Sequence, residues 1–359
     1  MKPKQIETPI SQDFLNSIAE ILQQSRKNTK AAINLSMVYT YYEIGKMIVK
    51  EEQHGKDRAA YGQQILTSLS DYLTKRFGNG YSVGNLKNIR QFYKIYSRDQ
   101  IGETVFSQSE TLPAVDTGRK FYLSWSHYLK LMRIGNLQAR HFYEIESAKN
   151  NWSLRELQRQ FDSALYERLA LSKNKDEVYR LAKEGQTLES PKDVVKDPYI
   201  LEFLGLPELP IYSETELETK IIDNLQSFLL ELGTGFTFVG RQIRFTFDEK
   251  HFMVDLVFYN RLLRCFVLFD LKIGELKHQD IGQMQMYVNY YDRKVKLPDE
   301  NDTIGIILCR DKNNAVVEMT LPEDNKQIFA SKYETILPKK EDLQQLLKDQ
   351  TIDEENDPK

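Results

Sequence analysis

The chain has 359 residues, of which 41% are hydrophobic and 28% charged, and its net charge is −3. That length favours two domains over one compact core, and the composition excludes a wholly disordered chain. No apolar run reaches the roughly 18 residues of a membrane span, and the polar start lacks the apolar stretch of a secretory signal, so a cytoplasmic, membrane-free protein is expected.

Residues 14–53 carry apolar side chains at helical spacing, among them Leu15, Ile18, Ile21, Leu22, Val38, Tyr41, Tyr42 and Ile44, which predicts a first helix. A second is predicted over 61–77. Gly78, Asn79 and Gly80 then make a turn, and Ser82 caps a third helix running to about Tyr96. No acidic residue lies between Tyr72 and Arg98. On the third helix Lys87, Arg90, Lys94 and Arg98 share one face, with Leu86, Ile89, Tyr93 and Tyr96 on or near the other. The pattern fits a helix-turn-helix that grips phosphate, with Asn85, Asn88 and Gln91 placed to read base edges; an ordinary solvated basic face has the same composition. A further helix starts at Ser124, and Ser153 with Glu156 forms a capping-box pattern ahead of the stripe Leu157, Phe161, Leu165 and Leu169.

Residues 172–205 are charged and weakly periodic and read as a linker. They adjoin a change of sign. Residues 1–171 hold 24 Lys and Arg against 17 Asp and Glu, a charge of +7, while the remainder holds 25 against 35, a charge of −10. A basic half invites a polyanion, whereas an acidic half repels one unless its carboxylates bind metal or stand away from the contact. In the second half a helix is predicted over 214–232, then strands over 236–247, 252–259 and 264–272, a helix over 279–292, and strands over 303–309 and 315–321. Residues 341–359 form an acidic tail. Cys265 and Cys309, the only cysteines, each sit in a strand-like apolar run, which suits buried thiols in a reducing compartment.

Asp255 lies inside one apolar strand, and Asp270 and Lys272 close the next. Charges among Val, Leu and Phe require partners. A side-chain period of two puts Asp270 and Lys272 on one face of their strand, and His251, Met253 and Asp255 on one face of theirs. If the two strands pair across the intervening Asn260–Leu263, the carboxylates converge. Two Asp with a backbone carbonyl and waters suit Mg²⁺, or Mn²⁺, and Lys272 then orients or activates a water for attack on phosphorus. A structural Asp270–Lys272 ion pair in an inactive scaffold uses the same residues. The five histidines show no metal-binding spacing, and there is no phosphate-binding glycine loop or serine-hydrolase elbow. His251 reads either as a neighbour of the carboxylates or as a surface residue at a hairpin end.

This ordered set resembles the PD-(D/E)xK nuclease superfamily and, more closely, its bacterial YhcG-type family. The matching stretches are FVGRQ at 238–242, DLVFYNRLLR at 255–264, DLKIGELK at 270–277 and GQMQMYVNYYD at 282–292, with LSWSHY at 123–128 and WSLRELQRQ at 152–160 in the first half. The resemblance implies an all-α, helix-turn-helix-like domain over 1–171 and an α/β restriction-endonuclease-like domain with an α-β-β-β-α-β core over 206–340. It makes Asp255 and Asp270 metal ligands and Lys272 the catalytic lysine, although the family more often has Glu where this chain has Asp270. Gln283 and Tyr287 reproduce a Q-x-x-x-Y motif on one helix face. Glu218 shares a face with Ile222, Leu225 and Leu229, while Glu216 lines up with Lys220 and Asp223, so Glu218 is the inward candidate for a third metal-site acid. A second E-x-K triplet, Glu275–Lys277, follows Gly274 and reads as loop. The expected activity is Mg²⁺-dependent hydrolysis of DNA, with the helical half binding that DNA and a homo-oligomer left open. The alternatives are a ribonuclease, or a non-catalytic nucleic-acid-binding or protein-interaction module on the same fold.

Overall fold

A computed structural model describes residues 12–53, 58–97, 120–171, 175–209, 211–247, 249–339 and 342–345. By its contacts the chain divides into two compact units, Met1–Leu154 and Arg155–Lys359, earlier than the boundary expected after 171.

The first unit contains α1 (Gln12–Glu52), α2 (Arg58–Phe77), α3 (Val83–Tyr96), α4 (Trp125–Leu131) and α5 (Leu137–Lys149). Helix α3 buries the stripe Leu86, Ile89, Phe92 and Tyr96 that its periodicity predicts. Its N-terminus is set by Ser82, whose hydroxyl accepts from Asn85 N at 3.3 Å, and by Gly78 and Gly80 at φ +82° and +117°, backbone that glycine adopts at little cost. Phe92 centres an aromatic core, with the rings of Phe121, Trp125 and Tyr128 5.1 to 5.3 Å away.

The second unit takes in α6 (Leu154–Asp162), α7 (Leu165–Ala170), α8 (Lys175–Glu184), β1 (Tyr199–Ile200), α9 (Glu214–Asp223), α10 (Leu225–Leu232), β2 (Phe236–Phe247), β3 (Lys250–Asn260), β4 (Cys265–Glu275), α11 (His278–Tyr290), β5 (Ile304–Asp311), α12 (Asn314–Thr320) and β6 (Ile328–Glu334). The sheet order is β1-β6-β5-β4-β3-β2; β2, β3 and β4 are antiparallel neighbours, and β4, β5, β6 and β1 run parallel. On one face Leu217, Ile221, Phe228 and Leu232 of α9 and α10 share a core with Leu256, Phe258, Phe269 and Leu271. On the other, Ile281, Met284 and Val288 of α11 pack with Val257, Leu268, Ile307 and Cys309. Helices therefore cover both faces of a mixed sheet, around the expected α-β-β-β-α-β order. Among the described residues no helix is long and apolar enough to cross a membrane.

Several expectations are corrected. Residues 315–321 are not a strand: 315–320 lie in α12 and Leu321 is its C-cap, because the Asn313 side chain accepts from Val316 N at 3.2 Å and starts a helix. The strand beyond β5 is instead β6, whose Ser331 and Lys332 interrupt any apolar run. The helix over 214–232 is two, broken at Asn224, whose amide donates to Lys220 O at 3.0 Å. The linker expected over 172–205 holds α8, β1 and buried Lys196, Tyr199, Leu201 and Leu204 wherever it is described. The acidic tail over 341–359 lies outside the described residues except for 342–345.

Helix α11 rests directly on Gly305 of β5. A Cβ there would lie 2.5 Å from Met284 Sδ and 2.9 Å from Val288 Cγ2, whereas Gly274 faces open space. Gly305→Val is expected to lower stability by about 1–3 kcal/mol, and Gly274→Ala by much less, as read by denaturant unfolding.

Candidate active site and basic helical face

The β3–β4 register pairs Leu256 with Phe269, and one step further sets Asp255 opposite Asp270. Alternation puts both on the face of the sheet that also carries Val257 and Leu268. Asp255 Oδ2 accepts from Leu271 N at 2.8 Å, and Lys272 Nζ stands 2.9 Å from Asp270 Oδ2 and 4.0 Å from Glu214 Oε2. The three residues singled out from the sequence thus come together.

Their environment favours neutral carboxyls. Burial, opposed by Lys272 but reinforced by the Asp255 charge, pushes the Asp270 carboxyl up to about 7. Burial also raises Asp255, although Leu271 N–H, Lys272, Gln242 and a hydrogen bond from Asp270 oppose it. Burial would lower Lys272, but Asp270 above all, then Glu214 and Asp255, hold its ammonium above the ordinary lysine range. In this state Lys272 is a charge, not a base.

Glu218 of α9 is buried, whereas Glu216 is exposed. It does not join the aspartates directly. The Gln242 amide stands between them, donating to Glu218 Oε2 at 2.5 Å and to Asp255 Oδ1 at 3.2 Å. Gln242 lies opposite Asp255 on β2 and has φ +49°, left-handed backbone that a non-glycine residue adopts within a strand only where its surroundings impose it. Sequence reasoning assigned Gln242 no role; its one signal was its place at the end of the matching stretch FVGRQ, since β2 also carries Thr237, Arg241, Arg244 and Thr246 and a polar residue does not stand out there. Burial, eased by Gln242 and reinforced by Asp255, raises the Glu218 carboxyl as well.

From α11, Gln283 donates its amide to the Tyr287 hydroxyl. Tyr287 is buried against Phe245, and its phenol is pushed up by burial, with Asp270 and Asp255 adding to the shift. The Q-x-x-x-Y pair therefore acts as one unit within the field of the carboxylates. His251 is exposed at the hairpin end, its ring paired with Thr246 Oγ1 at 2.9 Å, so the surface reading holds. Glu275 is still part of β4 rather than a loop, and it accepts from Asn313.

Two desolvated carboxyls, Asp255 and Asp270, sharing one ammonium are a donor set that suits a cation. Asp270 Oδ2 is buried without a well-aligned hydrogen-bond donor, its lysine contact being an ion pair out of hydrogen-bond alignment. Two hard oxygen ligands suit Mg²⁺ or Mn²⁺, ions that keep several waters of their own. Among the described residues no three His, Cys, Asp or Glu side chains already form a metal cage.

The basic face of the first unit is partly neutralised. Arg90 Nη1 lies 2.5 Å from Glu52 Oε1, and Lys94 Nζ lies 3.5 Å from Glu52 Oε2. Asn85 is engaged by Gly80 O at 2.6 Å and by the Trp125 indole at 3.3 Å, which makes it part of the turn and removes it as a base reader. Lys87, Asn88 and Gln91 are exposed side by side, and Arg98 falls outside the described residues.

Residues 17–168 match the DUF1016 N-terminal domain, and residues 192–348 match the YhcG PDDEXK nuclease domain. The Escherichia coli (strain K12) protein "Putative nuclease YhcG" is 36% identical over 360 residues, covering 96% of each chain. The chain belongs to the YhcG family of PD-(D/E)xK nucleases. Its YhcG nuclease domain begins at 192, inside the stretch read as linker, and encloses Glu218, Asp255, Asp270, Lys272, Gln283 and Tyr287. Partial likenesses link this YhcG-family chain to two solved structures. One is a repair endonuclease from Pyrococcus abyssi, with a TM-score of 0.25 and 17% identity over 35% of this chain. The other is an EndoMS–dsDNA complex, with a TM-score of 0.26 and 18% identity over 37% of this chain. The chain spans 48% of each of those chains.

Proposed function

We propose that the protein is a divalent-metal-dependent nuclease that hydrolyses DNA phosphodiester bonds, with its helical unit binding the DNA. The observation that carries this reading is the convergence of Asp255, Asp270 and Lys272 across β3 and β4. Asp255 and Asp270 would hold Mg²⁺ or Mn²⁺, which when bound polarises a phosphoryl oxygen and lowers the pKa of a coordinated water. Lys272, kept charged, stabilises negative charge growing on the phosphoryl oxygens. Gln242 holds Glu218 and Asp255 at a fixed separation, and Tyr287, its phenol pushed up, stays a hydrogen-bond donor at neutral pH. The reading is tested by incubating the purified protein with Mg²⁺ or Mn²⁺ and single-stranded, duplex and branched DNA or RNA. Metal-dependent cutting of DNA is expected. Cutting of RNA alone would reassign the substrate, and no cutting of any would overturn the enzymatic reading.

For the helical unit, exposed Lys87, Asn88 and Gln91 on α3, with Lys75, Arg76 and the exposed rings of Tyr72 and Phe77 at the end of α2, support phosphate and base contact. Lys87→Ala is expected to weaken duplex binding several-fold and reduce the salt slope by about 1. Glu52→Gln releases Arg90 and Lys94 and is expected to tighten binding and steepen the salt dependence. Fluorescence anisotropy on a labelled duplex at several salt concentrations measures both.

A further inference from the structure

We propose that the first half of α1 pairs antiparallel with the same segment of a second copy of this chain. From Asp13 to Ile33 every residue whose side chain is described is exposed, whereas Val38, Tyr42 and Ile48 further along the helix are buried. The exposed segment is not polar. Leu15, Ile18, Ile21, Leu22 and Ile33 are 43 to 64% exposed. A helix of this length without tertiary packing is marginal in water, so an apolar stripe along it is a surface awaiting a partner.

The stripe is built to fit itself. Read as a heptad, the seam is Leu15, Ile18, Leu22, Ser25, Thr29 and Ala32, large in its first half and small in its second. An antiparallel pair sets Leu15 opposite Ala32, Ile18 opposite Thr29 and Leu22 opposite Ser25, so large side chains meet small ones along the whole contact. A parallel pair sets large on large and leaves a gap at the small half. Thr29 fits an apolar seam because its hydroxyl already donates to Ser25 O at 3.0 Å within its own helix. On this heptad Asp13 and Glu20 both fall on the side of the helix away from the seam. Both acids therefore stay in water in either orientation, and the choice between antiparallel and parallel rests on the matching of large to small side chains. Leu15, Ile18 and Leu22 on the seam and Ile21 and Ile33 flanking it, each roughly half exposed, hold about 500 Å² per copy, and two copies reach the ~1,000 Å² at which a specific interface begins.

Sedimentation velocity on the full chain at micromolar concentration is expected to give a dimer, and Ile18→Asp or Leu22→Asp is expected to weaken association at least tenfold. Thermal unfolding of both units in these variants checks that only the pairing is lost. For orientation, Leu15→Cys combined with Ala32→Cys is expected to form an interchain disulfide under mild oxidation, and Leu15→Cys alone is not; the native Cys265 and Cys309 are buried. A monomeric parent, an unchanged mass in the Asp variants, or self-linking of Leu15→Cys would each overturn the proposal.

Discussion

Asp270→Ala, and equally Lys272→Ala, is expected to reduce DNA cleavage by at least about 100-fold, the scale on which a single preorganised charge at a reacting centre acts. Single-turnover rates on a labelled DNA measure the effect. The loss should fall on the reaction and not on the fold. Asp270 is 2% exposed and shares its surroundings with Asp255, so its carboxyl is driven up to about 7 instead of being stabilised as an anion. A group held against its own preference contributes to function at the expense of stability, and removing it relieves the crowding. The Tm of Asp270→Ala is therefore expected at or above that of the parent. A Tm that fell with the activity would mean that Asp270 and Lys272 form a structural ion pair.

Glu231 presents the opposite case. Its carboxylate on α10 is fully buried, with Oε1 2.7 Å from Arg168 Nη1 and 3.1 Å from Ile200 N, and Oε2 3.2 Å from Arg159 Nη2. Lys196 donates to its backbone oxygen. Burial alone would raise this carboxyl, but Arg168, Lys196 and Arg159 together pull it down to about 2. A depressed folded pKa stabilises the protein above the unfolded value of 4.5 and loses that contribution as pH falls toward about 2. The second unit is therefore expected to lose roughly 3 kcal/mol across that window from this residue alone. Glu231→Ala takes the carboxylate away from the buried Arg168 guanidinium, while Arg159 keeps Glu202 and Lys196 keeps the backbone oxygen of residue 231, and it is expected to cost about 3–5 kcal/mol at neutral pH. For a unit of this size that is a fall in Tm of about 10 °C or more. The variant should also lose the steep acid limb of the parent's stability curve. Calorimetry of both proteins between pH 2 and 7 checks both effects.

What could be read from the sequence follows the range of the forces involved. Strands β2 to β5 and helix α11 were legible because β-branched and aromatic runs end at local turns. One of these is made by Asn260, whose side chain accepts from Leu262 N and Leu263 N at 3.0 and 3.1 Å. The Asp255, Asp270 and Lys272 set was legible because a period of two fixes which side chains share a face. Residues 315–321 were misread because strand-like Val316 and Val317 are overruled by a cap at Asn313, and β6 was missed because Ser331 and Lys332 become strand residues only beside β5.

The supposed linker is tied into the second unit through Lys196 and the buried Glu231, a partnership 35 residues apart. Arg90 meets Glu52 across 38 residues, so a face that is uniformly basic in sequence is half neutralised in space. Gln242 went without a role for a similar reason: it ends the matching stretch FVGRQ, but its φ of +49° and its place beside Asp255 arise only where β2 passes β3. The net charge of −3 likewise conceals a basic helical half and a sheet whose carboxyls are pushed toward neutrality.

The most direct test is a calorimetric titration of Mn²⁺ and Mg²⁺ into the purified protein and its Asp255→Ala variant, run beside a DNA cleavage assay on the same samples. The account predicts that the parent binds the ion and cuts DNA only when it is bound, and that Asp255→Ala, still folded, does neither. Cleavage that persists in Asp255→Ala, or a parent that binds no divalent ion, would contradict it.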